Sequence, residues 1–320
     1  MLLQSVLFGI GVVGLVYGAE WLVTGSANLA RRAGISQMVI GLTVVAIGTS
    51  MPELVVSILA ATAGKTDVSI GNVVGSNIAN LGLILGATAV VRAVPVPAGT
   101  LMKDVPVMIG AAVLVTLFAI DARIGRGDGV ILLAGCAAYL GLLMRVALKR
   151  PAVAREEIEV FAPPAIPPPT RTHDIVRILG GIVALVAGGR LLVTSAMFFA
   201  TALGVSDLVI GLTVVAIGTS LPELATSVLA AFRGHSDLAL GNVIGSNILN
   251  LLLILGATAL IHPLPARPSM LTFEIPVMVG ISILLVPLAL RGSRITRWDG
   301  GLLVAGYVVF LLILVAKGGP

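Results

Sequence analysis

Cysteine is nearly missing from this chain: Cys136 stands alone in 320 residues, which excludes an intramolecular disulfide and any thiolate metal cluster. Histidine is almost as scarce. His173, His235 and His262 fall in loops or at the ends of apolar runs, so zinc and copper centres, which want N or S donors, find no ligand set. No His-Glu-x-x-His stretch, Ser–His dyad or catalytic aspartate pair lies within an apolar run, so an enzyme is not expected. Asn-x-Ser/Thr sequons are absent as well. Charged residues make up only 11% of the chain, too few for the polar faces of a soluble domain. The net charge of +5 is no nucleic-acid footprint, because the basic residues sit in breaks between apolar runs, where they set orientation.

Apolar residues fill the space left by these absences. They form 58% of the chain, with a mean hydropathy of +1.10. Runs long enough to cross a bilayer, about 18 residues or more, follow one another with short polar breaks. The pattern predicts an all-α integral membrane protein with ten spans, roughly 3–29, 37–63, 68–91, 102–120, 129–148, 175–201, 207–232, 238–261, 271–290 and 300–316. The first run lacks a basic flank and is too long for a signal peptide's apolar core, so no cleaved leader is expected. The first and sixth spans exceed what a bilayer needs, which predicts tilt or protrusion.

Only one long break occurs, at 149–174, and it holds six prolines and the charged run Arg155-Glu156-Glu157. That composition reads as an extended, semi-rigid linker between 1–148 and 175–320. Fourteen Lys and Arg residues fall on the linker's side of the membrane, five on the other, and Arg190 lies within a span. The positive-inside rule then makes the linker cytoplasmic and places both termini outside. Without sequons or a large regulatory domain, a bacterial or archaeal inner (plasma) membrane is expected.

The chain also repeats itself. Residues 41–89 and 211–259 align without a gap and share 35 of 49 positions, and the offset of 170 persists where Asp104-Val105-Pro106-Val107-Met108 faces Glu274-Ile275-Pro276-Val277-Met278. Two five-span halves follow. Five is odd, so the second half enters from the opposite side, giving the inverted repeat of secondary transporters, with its site at the repeat interface near the midplane. Alternating access suits such a repeat, whereas a passive channel builds rings about a pore axis.

Polar residues within the repeat carry the chemistry. In the second span Ala46, Thr49, Ser50, Glu53 and Ser57 share one helical face, and Ala216, Thr219, Ser220, Glu223 and Ser227 repeat this in the seventh. A carboxylate at membrane depth marks a functional site because its burial is so unfavourable. Pro52 and Pro222 deprive the carbonyls of Gly48 and Gly218 of a helical donor, which something polar must replace. The third and eighth spans supply Asn72, Ser76 and Asn80, and Asn242, Ser246 and Asn250, each set spaced by four. Of these, Ser76, Asn80, Ser246 and Asn250 are favoured as ligands, while Asn77 and Asn247 read as interhelical glue. Gly71, Gly75, Gly241 and Gly245 would let helices approach closely. The donor set is all oxygen, which suits Ca²⁺ or Na⁺. Two carboxylates balance one divalent or two monovalent ions, a physical basis for exchange.

The paired Gly-Thr-Ser-x-Pro-Glu and Gly-Asn-x-x-Gly-Ser-Asn motifs resemble the two alpha repeats of the cation/calcium antiporter superfamily, the sodium/calcium exchangers. The resemblance covers nearly the whole chain. It implies ten helices, a central site between spans 2, 3, 7 and 8, and alternating access by sliding of spans 1 and 6. By motif match Glu53 and Glu223 are the calcium carboxylates. Thr49, Ser50, Thr219 and Ser220, with the carbonyls of Ala46 and Ala216, line the calcium and sodium sites, and Ser76, Asn80, Ser246 and Asn250 complete them. The resemblance implies no cofactor, only transported Ca²⁺ and Na⁺; the other partner is the bilayer, and no obligatory protein partner is indicated. Well-studied exchangers usually carry an aspartate at one of the positions matching Asn80 and Asn250. Here both are asparagine, which leaves the two glutamates as the site's negative charges. The proton-coupled branch tends to have glutamine at these span 3 and 8 positions, which favours sodium coupling, with a Ca²⁺/H⁺ exchanger as the alternative.

Other signals read as structural. Gly9-x-Gly11-x-x-Gly14 lies in a span with no preceding strand, so it predicts close helix packing and not a dinucleotide loop. Glu20 and Arg190 occupy matching positions in the two halves, and inversion keeps them from pairing. Asp67, Asp237, Asp128 and Asp299 are expected to cap helices.

Overall fold

The computed structural model describes residues 1–149, 170–203, 216–266 and 268–317. Helix α1 spans Leu2–Ala33. A second unit follows as α2 (Gln37–Thr49) and α3 (Met51–Thr62), bent by 44° at Ser50. Then come α4 (Thr66–Val91), α5 (Ala98–Ala119), α6 (Arg126–Lys149) and α7 (Arg171–Ala202). The chain continues through α8 (Ala216–Thr219), α9 (Leu221–Phe232), α10 (Ser236–Ile261), α11 (Pro268–Thr272), α12 (Glu274–Leu290) and α13 (Arg297–Lys317). Among the described residues eight helices are long and apolar enough to span a membrane, nine with the bent pair. The chain is a multi-pass, helical membrane protein. The first part of the expected seventh span, 207–215, and most of the expected linker, 150–169, lie outside the described residues.

α4 and α10 form the centre. Most of each helix is buried by protein, while most of α1, α5, α6, α7, α12 and α13 is not. That difference explains the sequence: helices facing lipid can be apolar all round, while those enclosed by protein can carry an asparagine stripe. α2 crosses α10 in backbone contact, where a Cβ on Gly41 would meet the Leu238 carbonyl at 2.6 Å, and one on Gly245 would meet Leu42 Cα at 2.8 Å. The expected close approach at Gly241 and Gly245 is therefore present. Nothing described lies within 4 Å of a Cβ built on Gly71 or Gly75.

α1 and α7, each 32 residues, are about 48 Å long against a hydrocarbon core of about 30 Å. They pack on one another through small residues. A Cβ on Gly18 would lie 3.0 Å from the Gly181 carbonyl, and one on Gly11 would lie 2.9 Å from that of Gly188. Gly11 and Gly14 thus do the close packing expected of them, whereas nothing described lies within 4 Å of a Cβ built on Gly9. Asn28 and Arg32 near the end of α1 both bond the carboxylate of Asp174, at 3.2 and 2.7 Å, and Asp174 is fully buried.

Two short antiparallel strand pairs, unexpected from the sequence, tie the halves together. β1 (Val94–Pro95) pairs with β4 (Arg294–Ile295), and β2 (Arg123–Ile124) pairs with β3 (Leu264–Pro265). Exchanging the halves carries one pair onto the other, with β1 matching β3 and β2 matching β4 to within one residue of the repeat offset. The four aspartates divide. Asp128 accepts from the Gly125 N–H at 2.8 Å, and Asp299 forms a reciprocal box with Thr296. Asp67 and Asp237 are not the capping residues: Lys65 and His235 hold those positions. The helices start earlier than expected, which moves both aspartates into the first turn, where their charge faces the positive end of the helix dipole.

Candidate functional site

The bend at Ser50 originates in Pro52, which follows the break at the second helical position of α3 and needs no N–H donor there. Ser220 and Pro222 repeat this before α9. The break leaves the Ser50 and Ser220 side chains at a junction and starts each new helix two residues before a glutamate. Glu53 is 0% and Glu223 1% exposed.

Each carboxylate is held by the opposite half of the chain. Ser50 Oγ donates to Glu223 Oε1 at 3.0 Å, and Ser220 Oγ donates to Glu53 Oε1 at 3.3 Å. The same hydroxyls lie 3.1 Å from Ser246 Oγ and 3.3 Å from Ser76 Oγ. Around them Thr49 Oγ1 donates to Asn242 Oδ1 at 3.1 Å and Thr219 Oγ1 to Asn72 Oδ1 at 3.4 Å. Asn242 and Asn72 pass their amide donors to Ser227 and Ser57, each at 2.9 Å. The sequence placed Asn72 and Asn242 on the right face but gave them no task; they hold the threonines.

Asn80 and Asn250 each open a π-turn, at Asn80–Ile84 and Asn250–Ile254. Such a turn adds a residue to the helical repeat and re-aims the side chains beside it. Asn80 Nδ2 donates across to Asn247 Oδ1 at 3.2 Å, and Asn247 Nδ2 reaches Met108 Sδ at 3.6 Å. Asn247 is thus glue between helices. Asn77 differs, bonding Val73 O in its own helix at 2.7 Å. The Ala46 carbonyl accepts the Ser50 N–H at 3.0 Å and lies within reach of Thr49 Oγ1. Ala216 opens α8.

Four buried oxygens on the candidate residues have no hydrogen-bond donor among the described residues: Glu53 Oε2, Glu223 Oε2, Asn80 Oδ1 and Asn250 Oδ1. They are two matched pairs, one of each pair from each half. A charge-assisted bond from a serine contributes about 1.5–3 kcal/mol. Removing a carboxylate from water costs several kcal/mol, so one serine per glutamate does not offset the burial. Unsatisfied acceptors of this kind, two of them on carboxylates, have the oxygen chemistry that hard cations take.

The sodium/calcium exchanger protein family profile matches residues 3–145 and 173–316, both halves of the chain. The chain belongs to the sodium/calcium exchanger family. Similar members include the sodium/calcium exchanger MaX1 of Methanosarcina acetivorans, 37% identical over 95% of this chain and 96% of its own. The putative antiporter CaxA of Alkalimonas amylolytica is 37% identical over 99% of this chain and 100% of its own. Among solved structures, the sodium-calcium exchanger NCX_Mj soaked with zero Na⁺ and Ca²⁺ superimposes with a TM-score of 0.84 at 35% identity, covering 98% of this chain and 99% of that one. The fold of this exchanger-family chain is therefore that of NCX_Mj, over nearly its full length.

Proposed function

We propose that the protein is a secondary antiporter that exchanges Ca²⁺ for Na⁺ by alternating access, with the ions bound between α2–α3, α4, α8–α9 and α10. The observation that carries this is the set of four unsatisfied oxygens from Glu53, Glu223, Asn80 and Asn250. Thr49, Ser50, Ser76, Thr219, Ser220 and Ser246, with the carbonyls of Ala46 and Ala216, complete the proposed ligand shell. Either one Ca²⁺ or a load of Na⁺ neutralises the same two carboxylates, while the ion-free site is penalised by their burial and mutual repulsion. That penalty discourages return without cargo and couples the two fluxes.

The proposed architecture is ten spans in two inverted halves, 1–148 and 175–320, with the linker cytoplasmic and both termini outside. Support comes from the exchange of the two strand pairs under the repeat offset and from the arginine-rich loops on the linker side. α1 and α7, packed through glycines and lying against α9 and α2, are the elements proposed to slide.

In liposomes loaded with Na⁺, external Ca²⁺ should accumulate down an imposed sodium gradient, and Glu53→Gln or Glu223→Gln should abolish accumulation. Uptake that follows a pH gradient and ignores sodium would establish proton coupling instead. Calcium flux that requires no counter-ion would refute antiport.

A further inference from the structure

Beside the proposed ion site, but separate from it, lies an apolar cavity of about 590 Å³. It runs between α1, the end of α4 and α9, and its walls include Val12, Val16, Ala87, Val91, Leu224 and Phe232. Every described residue that lines it is apolar. Several wall residues are open to the outside of the protein: Val16 is 55% and Phe232 70% exposed. Along α9 the lining extends from Leu221 to Phe232, about 17 Å of helix. That matches one leaflet's share of a hydrocarbon core of about 30 Å.

At one end of the cavity the walls from α1, α4 and α9 turn charged in a single step. Glu20 follows Ala19, Arg92 follows Val91, and Arg233 follows Phe232. Arg233 pairs with Glu20 at 2.8 Å. Arg92 lies over Gly234, with its guanidinium 3.1 Å from where a Cβ would stand. Arg297 donates to the Val91 carbonyl at 3.2 Å, which brings a third guanidinium to the same rim. Neither Arg92 nor Arg297 has a carboxylate within ion-pair range among the described residues. Trp298, next to Arg297, is 87% exposed, as suits an aromatic at headgroup depth.

We infer that this cavity binds one anionic phospholipid, with an acyl chain against α9 and the phosphate between Arg92 and Arg297. An aliphatic chain fits the lining, which offers no hydrogen bond. The rim favours a negative headgroup, because Glu20 pairs with Arg233 and leaves the Arg92 and Arg297 guanidiniums without an ion pair among the described residues. Basic pockets between spanning helices are the usual setting for such lipids. The acyl chain would lie between α1 and the helix that carries Glu223, so its presence bears on how freely α1 moves over that helix.

Native mass spectrometry of the full chain, released from micelles with equimolar dioleoyl phosphatidylglycerol and dioleoyl phosphatidylcholine, tests this without transport. The wild type should retain one phosphatidylglycerol in preference to phosphatidylcholine, by roughly 30-fold for two arginine contacts. Arg92→Gln/Arg297→Gln should bring that preference close to unity, and Val228→Trp, which sets an indole into the cavity, should weaken retention of both lipids. Equal retention of both lipids by the wild type overturns the inference. So does a preference that survives both sets of changes. A cooperative melting transition, measured on the same samples, confirms that the variants are folded. Because lipid retention is read directly, the result stands apart from the outcome of the liposome experiment.

Discussion

Replacing Asn247 by alanine tests whether the amide network aims the ion ligands. Asn80 has one buried donor and one buried acceptor: the donor is tied to Asn247 Oδ1 at 3.2 Å, and the acceptor has no donor partner among the described residues. Asn247 therefore fixes which way the Asn80 amide faces. Loss of a buried neutral hydrogen bond costs about 0.5–1.5 kcal/mol. If that energy holds the oxygen on the cation, calcium affinity should fall by about 2- to 12-fold. The control is built into the repeat. Asn77 occupies the equivalent position, but its amide bonds Val73 O in the same helix. Asn77→Ala should leave affinity within about twofold of the wild type, since its bond to Val73 O holds no ion ligand. Affinity is read from Ca²⁺-dependent thermal shifts, with the ion-free melting temperature measured alongside. Asn247→Ala should reduce the ion-induced shift more than it lowers the ion-free melting temperature. Equal effects of the two substitutions on calcium affinity, or no effect of Asn247→Ala, would refute the assignment.

Gly41→Ala places a methyl group 2.6 Å from the Leu238 carbonyl and should lower stability by about 1–3 kcal/mol or more. Gly110→Ala on open helix surface should be neutral or stabilising by about 0.4–1 kcal/mol; differential scanning fluorimetry in detergent compares them. Arg32→Met leaves buried Asp174 without its cation, at a cost of about 3–5 kcal/mol, and Arg32→Met/Asp174→Leu should recover part of it in the same assay. His235, bonded to Gln37 at 3.0 Å, is held below its ordinary value of 6.5 by burial first, then by Arg31 and Arg233, with Glu20 opposing. The unfolded chain takes up that proton first, so this contribution to stability is present above pH 6.5 and lost as pH falls towards the folded-state value. His235→Gln should flatten that part of a melting-temperature profile, and an unchanged profile would assign the acid sensitivity elsewhere.

Much of the site was legible because its rule is local. Helical spacing put Thr49, Ser50 and Glu53 on one face, and the repeat supplied their partners. The prolines marked the bend, since a missing N–H is written in the sequence. The π-turns at Asn80 and Asn250 left no such mark: an extra residue in a helical turn is decided by how neighbouring helices pack. The different bonds of Asn77 and Asn247 were equally hidden, because matching residues find different partners once the helices pack: Asn247 reaches Met108, and Asn77 bonds Val73 of its own helix. Sequence reasoning kept Glu20 from Arg190 but had no means of finding Arg233, 213 positions away.

By itself, then, the sequence determined the solvent, the duplication and the chemistry of the donors: hydropathy, identity at a fixed offset and residue type are properties of the chain alone. Tertiary structure decided that Ser50 serves Glu223 and Ser220 serves Glu53, and that one oxygen on each of Glu53, Glu223, Asn80 and Asn250 has no donor among the described residues. Those facts depend on which helix faces which across the repeat interface, and no spacing along the chain records that.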